Sequence, residues 1–271
     1  MPFSQMVGSS IFGLASSWCF AHPYPCRIPQ RLLHEDVTTI MGQGLGAYLT
    51  EPRLGSDGLT WTRAATTSAD TSVLRGAAEP FQVTGGLNVL TGNIGTAVIK
   101  SSAIPADRHI VEAPAKVFHS QDELKAAFKA GELNGDVIAV VRFQGPKANG
   151  MPELHSLTPL LSVLQNRGLT VGLVTDGRMS GASGKVPAAI HVTPEAADGG
   201  SIARIRDGDV IRIDATAGTL EVKVEASVFL ARPLATADLE ANETGVGREL
   251  FQAFRRITGA ADRGASIFEV A

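Results

Sequence analysis

Asp136-Val-Ile-Ala-Val-Val-Arg142 and Thr170-Val-Gly-Leu-Val-Thr175 are the two stretches whose reading decides the fold. Each is an apolar run too short for a helix, with polar or glycine residues on either side, the pattern of a strand buried on both faces. Between them Thr158-Pro159 opens a helix that runs through Gln165, and Gly168 closes it. A strand, a crossover helix and a second strand imply a parallel pair. The two loops that follow the strands therefore leave the sheet at the same carboxyl edge, where α/β proteins place their ligands.

Outward from this unit the grammar stays mixed. Val89 to Lys100 reads as two short strands around a glycine-bearing bend, and Ile110 to Ala113 as another strand. Ser120 with Glu123 makes a capping box for a helix that ends at Gly131. Beyond Gly200 the period falls to two: Ile202 to Ile205, Val210 to Ile213 and Leu220 to Val224 read as strands, separated by Asp207-Gly-Asp209 and Ala217-Gly218 turns. Arg248 to Ile257 is the last helix. The expected class is α/β, a mixed, barrel-like sheet flanked by helices over residues 81–271. Leu32 to Leu49 carries apolar residues at near-helical spacing, ending in glycines 42, 44 and 46, which read as a helix stop and turn, and residues 32–80 read as a helical linker. Residues 1–31, studded with proline, show no period of either kind.

The 271 residues are enough for one large domain or two small ones with a core that needs no disulfides. Charged residues make up 19% and the net charge is -3, so no basic field exists to attract nucleic acid. Cys19 and Cys26, the two cysteines, have neither zinc-pair nor iron–sulfur spacing and read as unpaired thiols. No basic n-region opens the chain, and no window approaches the roughly 18 apolar residues of a spanning helix. A soluble, cytoplasmic protein without a membrane partner is the expectation.

The chemistry concentrates in the two loops, Gln144-Gly-Pro-Lys-Ala-Asn-Gly-Met-Pro-Glu153 and Val174-Thr-Asp-Gly-Arg-Met-Ser-Gly-Ala-Ser-Gly-Lys185. Ser180 sits among glycines that let the backbone approach a ligand. A bare serine is a poor base, and needs a metal ion, a cluster iron or an adjacent base to become one; alternatively these residues simply form a tight turn. Glu153, held by Met151-Pro152, reads as a helix cap or as an oxygen ligand for Mg²⁺. Lys147, Asn149, Arg178 and Lys185 place four polar donors in the two loops, a set suited to an anionic substrate, although each alone also reads as a solvated surface group. His155 and His191 could act as acids but fit structural roles as well.

At these residues the chain resembles the dihydroxyacid and phosphogluconate dehydratase family. The resemblance is carried by Leu32-Leu-His-Glu-Asp36, Gly92-Asn93 with Lys100, Glu112-Ala-Pro114, Gly145 to His155, Thr175 to Lys185, His191-Val-Thr-Pro-Glu195, Asp207-Gly-Asp209 and Gly247-Arg-Glu-Leu-Phe251. Lys147-Ala-Asn-Gly150 and Ser183-Gly-Lys-Val-Pro187 resemble its phosphogluconate branch. The resemblance implies a swivelling β/β/α domain, Ser180 as the proton-abstracting residue and Glu153 as a Mg²⁺ ligand. It also implies a 4Fe-4S cluster acting as Lewis acid, a homodimer in the full-length family, and dehydration of 6-phosphogluconate in the Entner–Doudoroff pathway.

The family's cluster cysteines, its other metal-binding acids and its large N-terminal domain precede the matched region and have no counterpart here. The expectation is therefore a C-terminal portion that is inactive alone, from a truncated or frameshifted reading frame. Residues 32–80 would be the end of the missing domain. The alternatives are a non-catalytic module that binds sugar-acid phosphates, or a dehydratase of a related sugar acid or dihydroxyacid. A serine hydrolase ranks last, because the Gly-x-Ser-x-Gly elbow is absent.

Overall fold

The computed structural model describes residues 36–63, 68, 70–73, 75–76, 78–81, 85–102, 104–180 and 185–268. They fall into two compact units divided between Gly85 and Gly86. In the smaller unit, Thr50–Gly55 and Gly58–Arg63 form an antiparallel hairpin, preceded by a two-residue pairing of Thr38–Thr39 with Gly42–Gln43 and a 3-10 turn at Gly46–Leu49. The helix expected over Leu32 to Leu49, and with it the helical linker over 32–80, is thus corrected in the described residues. Gly42 and Gly44 adopt positive φ, and these left-handed positions interrupt the helical spacing. Residues 1–31 and Leu32 to Glu35 lie outside the described residues.

The larger unit is built on a closed, mixed eight-stranded barrel. In chain order its strands are β1 (Leu87–Gly92), β2 (Gly95–Lys100), β3 (Ile110–Phe118), β4 (Val137–Val141), β5 (Val171–Thr175), β6 (Ala188–Thr193), β7 (Val210–Asp214) and β8 (Thr219–Val222). Around the barrel the order is β6-β2-β1-β8-β7-β3-β4-β5. β3, β4, β5 and β6 are mutually parallel neighbours, and β7–β8 and β1–β2 are hairpins. The parallel pairing expected for β4 and β5 is present, with Val137 opposite Val171 and Val141 opposite Thr175. Of the three strands expected beyond Gly200 the first, Ile202 to Ile205, is absent: Ser201–Arg204 is a 3-10 turn that buries Ile202 and Ala203, so the alternation there belongs to a tight turn.

Two apolar clusters explain the unbroken runs of β4 and β5. Ile138, Val140 and Val174 point into a cluster shared with Leu90, Ile99, Ile211, Ile213 and Leu220 of the barrel. Val137, Ala139, Val141, Val171 and Leu173 face the other way, beneath helices α1 (Gln121–Lys129) and α3 (Thr158–Asn166), against Leu124, Leu157, Leu161 and Leu164. A strand sandwiched this way has no solvent face, so nothing in its sequence alternates. Ser120 caps α1 by accepting the N–H of Glu123, and the carboxylate of Glu123 accepts the N–H of His119. A one-turn helix, α2 (Pro146–Asn149), follows β4; α4 (Ala226–Ala231) and α5 (Arg248–Ile257) complete the unit. Among the described residues no helix is long and apolar enough to cross a membrane.

Candidate active site

Strands β4, β5 and β6 end side by side, and a single carboxylate ties their exits together. Asp176, one residue beyond β5 and fully buried, accepts the N–H of Phe143 at 3.0 Å and of Gln144 at 2.9 Å from the chain leaving β4, and the N–H of Ala196 at 3.0 Å from the chain leaving β6. Burial pushes its pKa above the ordinary carboxylate value, against the pull of those three amides. Phe143 adopts a positive φ of 63° to present its amide.

A second buried acid works beside it. Glu195, 6% exposed, accepts the N–H of Lys147 at 2.8 Å and of Ala148 at 3.0 Å, and so fastens α2 to the exit of β6. Burial raises its pKa to about 6, with the two amides acting in the opposite direction. The approach needs Gly145, where an added Cβ would lie 2.6 Å from the Glu195 carboxyl carbon and 2.8 Å from its Cβ. Gly177 has the same role across the β4 and β5 loops: a Cβ there would lie 2.8 Å from both Gln144 Cβ and Leu154 Cδ1.

On this base the two polar loops are zipped together. Glu153 and Arg178 form an isolated parallel β-bridge, and the N–H of Leu154 donates to the Arg178 carbonyl at 3.1 Å. The Glu153 carboxylate accepts the N–H of Ser180 at 2.8 Å and of His155 at 3.0 Å on Oε1, and the Arg178 guanidinium at 3.2 Å on Oε2. Arg178 also donates to the Met151 carbonyl at 2.7 Å. Thus Glu153, Arg178 and Ser180, chosen from sequence, come together at the carboxyl edge of β4 and β5.

Lys147 and Asn149 have their side-chain partners outside that triplet. The Lys147 ammonium pairs with Asp198 at 2.7 Å. Asn149 donates to Gln144 Oε1 at 3.1 Å and accepts from Arg248 at 2.7 Å. Lys185 is exposed, just beyond residues 181–184, which lie outside the described residues. The N–H of His191 bonds the Gly177 carbonyl, and burial, followed by the charge of Arg178, lowers its pKa; His155 is exposed. Asp176 and Glu195 were missed as organisers, because their partners are backbone amides that lie 20 to 48 residues away in sequence.

Glu153 can offer one oxygen to a divalent cation, and Mg²⁺ typically takes only one or two protein carboxylates. Arg178 now faces the oxygen such an ion would use, and among the described residues no group of three His, Cys, Asp or Glu converges on a metal position. For an iron–sulfur cluster the described residues do not fit: they contain no thiol, both cysteines lying outside them.

Residues 72–265 match the family model described as the dihydroxy-acid/6-phosphogluconate dehydratase C-terminal domain. The chain is 61% identical over 237 residues to a phosphogluconate dehydratase of Rhizobium meliloti and 54% identical over 237 residues to one of Pseudomonas aeruginosa. It is 34% identical over 238 residues to a dihydroxy-acid dehydratase of Lachnospira eligens. The alignments cover 87%, 88% and 86% of this chain, but it spans only 39% of the length of each relative. The chain therefore belongs to the dihydroxy-acid/6-phosphogluconate dehydratase family, whose C-terminal domain it carries.

Proposed function

We propose that this chain is the C-terminal portion of a 6-phosphogluconate dehydratase, which converts 6-phospho-D-gluconate to 2-keto-3-deoxy-6-phosphogluconate and water. The observation that carries this reading is the attachment of Ser180, through its backbone amide, to the Glu153 carboxylate beside two parallel strand ends, in a chain so similar to relatives of that name. In the reaction the C2 proton, beside the substrate carboxylate, leaves with the C3 hydroxyl, and the enol tautomerises to the keto acid. Ser180 Oγ is the proposed acceptor of the C2 proton. Glu153 and Arg178 fix the loop that presents it, and Glu153 is the residue proposed to hold Mg²⁺.

Lys147, Asn149, Arg178 and Lys185 are the proposed donors to the substrate's anionic groups. A bound carboxylate would compete with Asp198 for Lys147 and with Glu153 for Arg178, both pairs being partly exposed and so weakly held. Cationic charge beside Ser180 is required to make its hydroxyl basic; a Mg²⁺ ion held by Glu153 would supply such charge, whereas a 4Fe-4S cluster would need ligands other than the described residues. A cytoplasmic homodimer acting in the Entner–Doudoroff pathway completes the proposal.

The test is turnover of 6-phosphogluconate after anaerobic cluster reconstitution. This chain would be assayed alone and co-expressed with the region of the Rhizobium meliloti relative outside the match. Turnover is expected only in the second case, and is expected to vanish in Ser180→Ala. Robust cluster-dependent turnover by the chain alone, or undiminished turnover by Ser180→Ala, overturns the corresponding part of the proposal.

A further inference from the structure

Beyond α2, the C-terminal helix α5 bounds a cavity of about 410 Å³ that reaches Asn149, Gly150 and Met151 of the β4 loop. That volume lies within the roughly 300–1,000 Å³ of small-ligand sites. Among the described residues two arginines line it, Arg248 and Arg255, and no lining residue is acidic. Their acceptors among the described residues are neutral. Arg248 donates to the side-chain oxygen of Asn149 at 2.7 Å, to its carbonyl at 3.2 Å and to the carbonyl of Asn242. Arg255 donates to the carbonyls of Arg248 at 3.3 Å and Asn242 at 3.2 Å.

Carbonyls orient a guanidinium without cancelling its charge, and neither arginine makes a salt bridge among the described residues. The nearest acids in sequence are engaged elsewhere: Glu249 accepts the N–H of Gly245 at 2.7 Å and Glu243 accepts from Gln252. Among the described residues the cavity therefore holds two positive charges with no acidic partner, beside the rings of Phe251 and Phe254. Two guanidinium forks in that setting suit a phosphate group better than a single lysine does.

We infer that the Arg248–Arg255 cavity is a phosphate subsite and, resting on the function proposed above, that it takes the phosphate end of 6-phosphogluconate. Asn149 links it to the catalytic loops, because its carboxamide accepts from Arg248 on one side and donates to Gln144 on the other. Gln144 is in turn held by Asp176.

The experiment measures binding of inorganic phosphate, 6-phosphogluconate and gluconate to this chain by calorimetry, with amide chemical shifts recorded for each. Both phosphate compounds are expected to bind and to shift the amides of residues 149–151 and 248–255, with gluconate at least about tenfold weaker than 6-phosphogluconate. Arg255→Gln and Arg248→Lys should each weaken both phosphate ligands about tenfold, as expected for loss of a charge-assisted fork. Arg256→Gln removes a charge from the exposed side of the same helix and should change neither.

The subsite is overturned if neither phosphate compound binds, if the shifts fall elsewhere, or if Arg256→Gln weakens binding as much as Arg255→Gln. Binding of 6-phosphogluconate that survives Arg255→Gln leaves the proposed function standing without this subsite. Arg255-dependent binding of phosphate without binding of 6-phosphogluconate leaves the subsite standing without the proposed function.

Discussion

Glu153 Oε1 accepts the backbone N–H of Ser180 at 2.8 Å, so the main chain of the loop carrying the candidate base is anchored to the β4 loop. Ser180→Ala keeps this attachment and is expected to unfold in urea within about 1 kcal/mol of the parent, as ordinary surface substitutions do. Glu153→Ala removes the acceptor of two amides and of Arg178, and should cost about 1–2 kcal/mol, moderated by its partial exposure. A Ser180→Ala protein as unstable as Glu153→Ala would assign the hydroxyl to structure.

Asp176 is the residue on which the site edge depends most. Asp176→Ala strands the amides of Phe143, Gln144 and Ala196 in a buried setting, and an unpaired buried donor costs about 1–3 kcal/mol. Relief from burying a carboxylate offsets part of this, giving an expected loss of about 3–5 kcal/mol. Asp176→Asn must turn its NH₂ toward at least one of those N–H groups and should recover only part. Urea midpoints of the three proteins check the order; equal midpoints for parent and Asn variant would rule out the three-amide geometry.

Stability should depend on pH through Glu195. Its folded pKa, about 6, lies above the ordinary 4.5, so the folded state binds the proton more tightly. That contribution is complete below about 4.5 and is lost as pH rises through about 6, roughly 2 kcal/mol in all. Glu195→Gln gives up one amide acceptor at every pH but should flatten this slope. His119 has the opposite sign: burial and then Arg142 lower its pKa, so its contribution falls away as the solution is acidified. Both proteins carry His119, so the difference between their urea unfolding free energies from pH 4 to 7.5 isolates Glu195. A pH-independent difference would contradict the assignment.

Gly145→Ala tests the close approach directly. The new methyl would sit 2.6 Å from the Glu195 carboxyl carbon and must displace that side chain from the amides of Lys147 and Ala148. Overpacking of this kind costs about 1–3 kcal/mol, and the melting temperature should fall accordingly. Gly131→Ala is a useful contrast: its Cβ would meet no atom within 4 Å, so any loss comes from the positive φ of 73° alone. Normal melting of Gly145→Ala would show that Glu195 does not need the space.

Much of the barrel was legible because local signals and burial agreed. The apolar runs of β4 and β5, the Ser120 cap, Pro159 at the start of α3 and the hairpin glycines each encode one local choice that packing did not override. Glycines 42 and 44 do make the turn expected of them, but the apolar spacing around them is not helical, because Thr38–Thr39 and Gly42–Gln43 pair as short strands across that turn. Ile202 to Ile205 was misread because a 3-10 turn with buried Ile202 and Ala203 looks locally like an alternating strand.

By itself the sequence determined that two polar loops follow two buried parallel strands, and that Glu153, Arg178 and Ser180 belong to one edge. Strand period and crossover order suffice for that, since both are short-range properties. The tertiary structure alone decided what holds the edge in place. Asp176 and Glu195 act on amides that reach them only once three strands lie side by side, and the Arg248–Arg255 cavity exists only where α5 returns to the β4 loop. Those contacts join residues far apart in the chain, and burial, which gives them their strength, is a property of the folded chain.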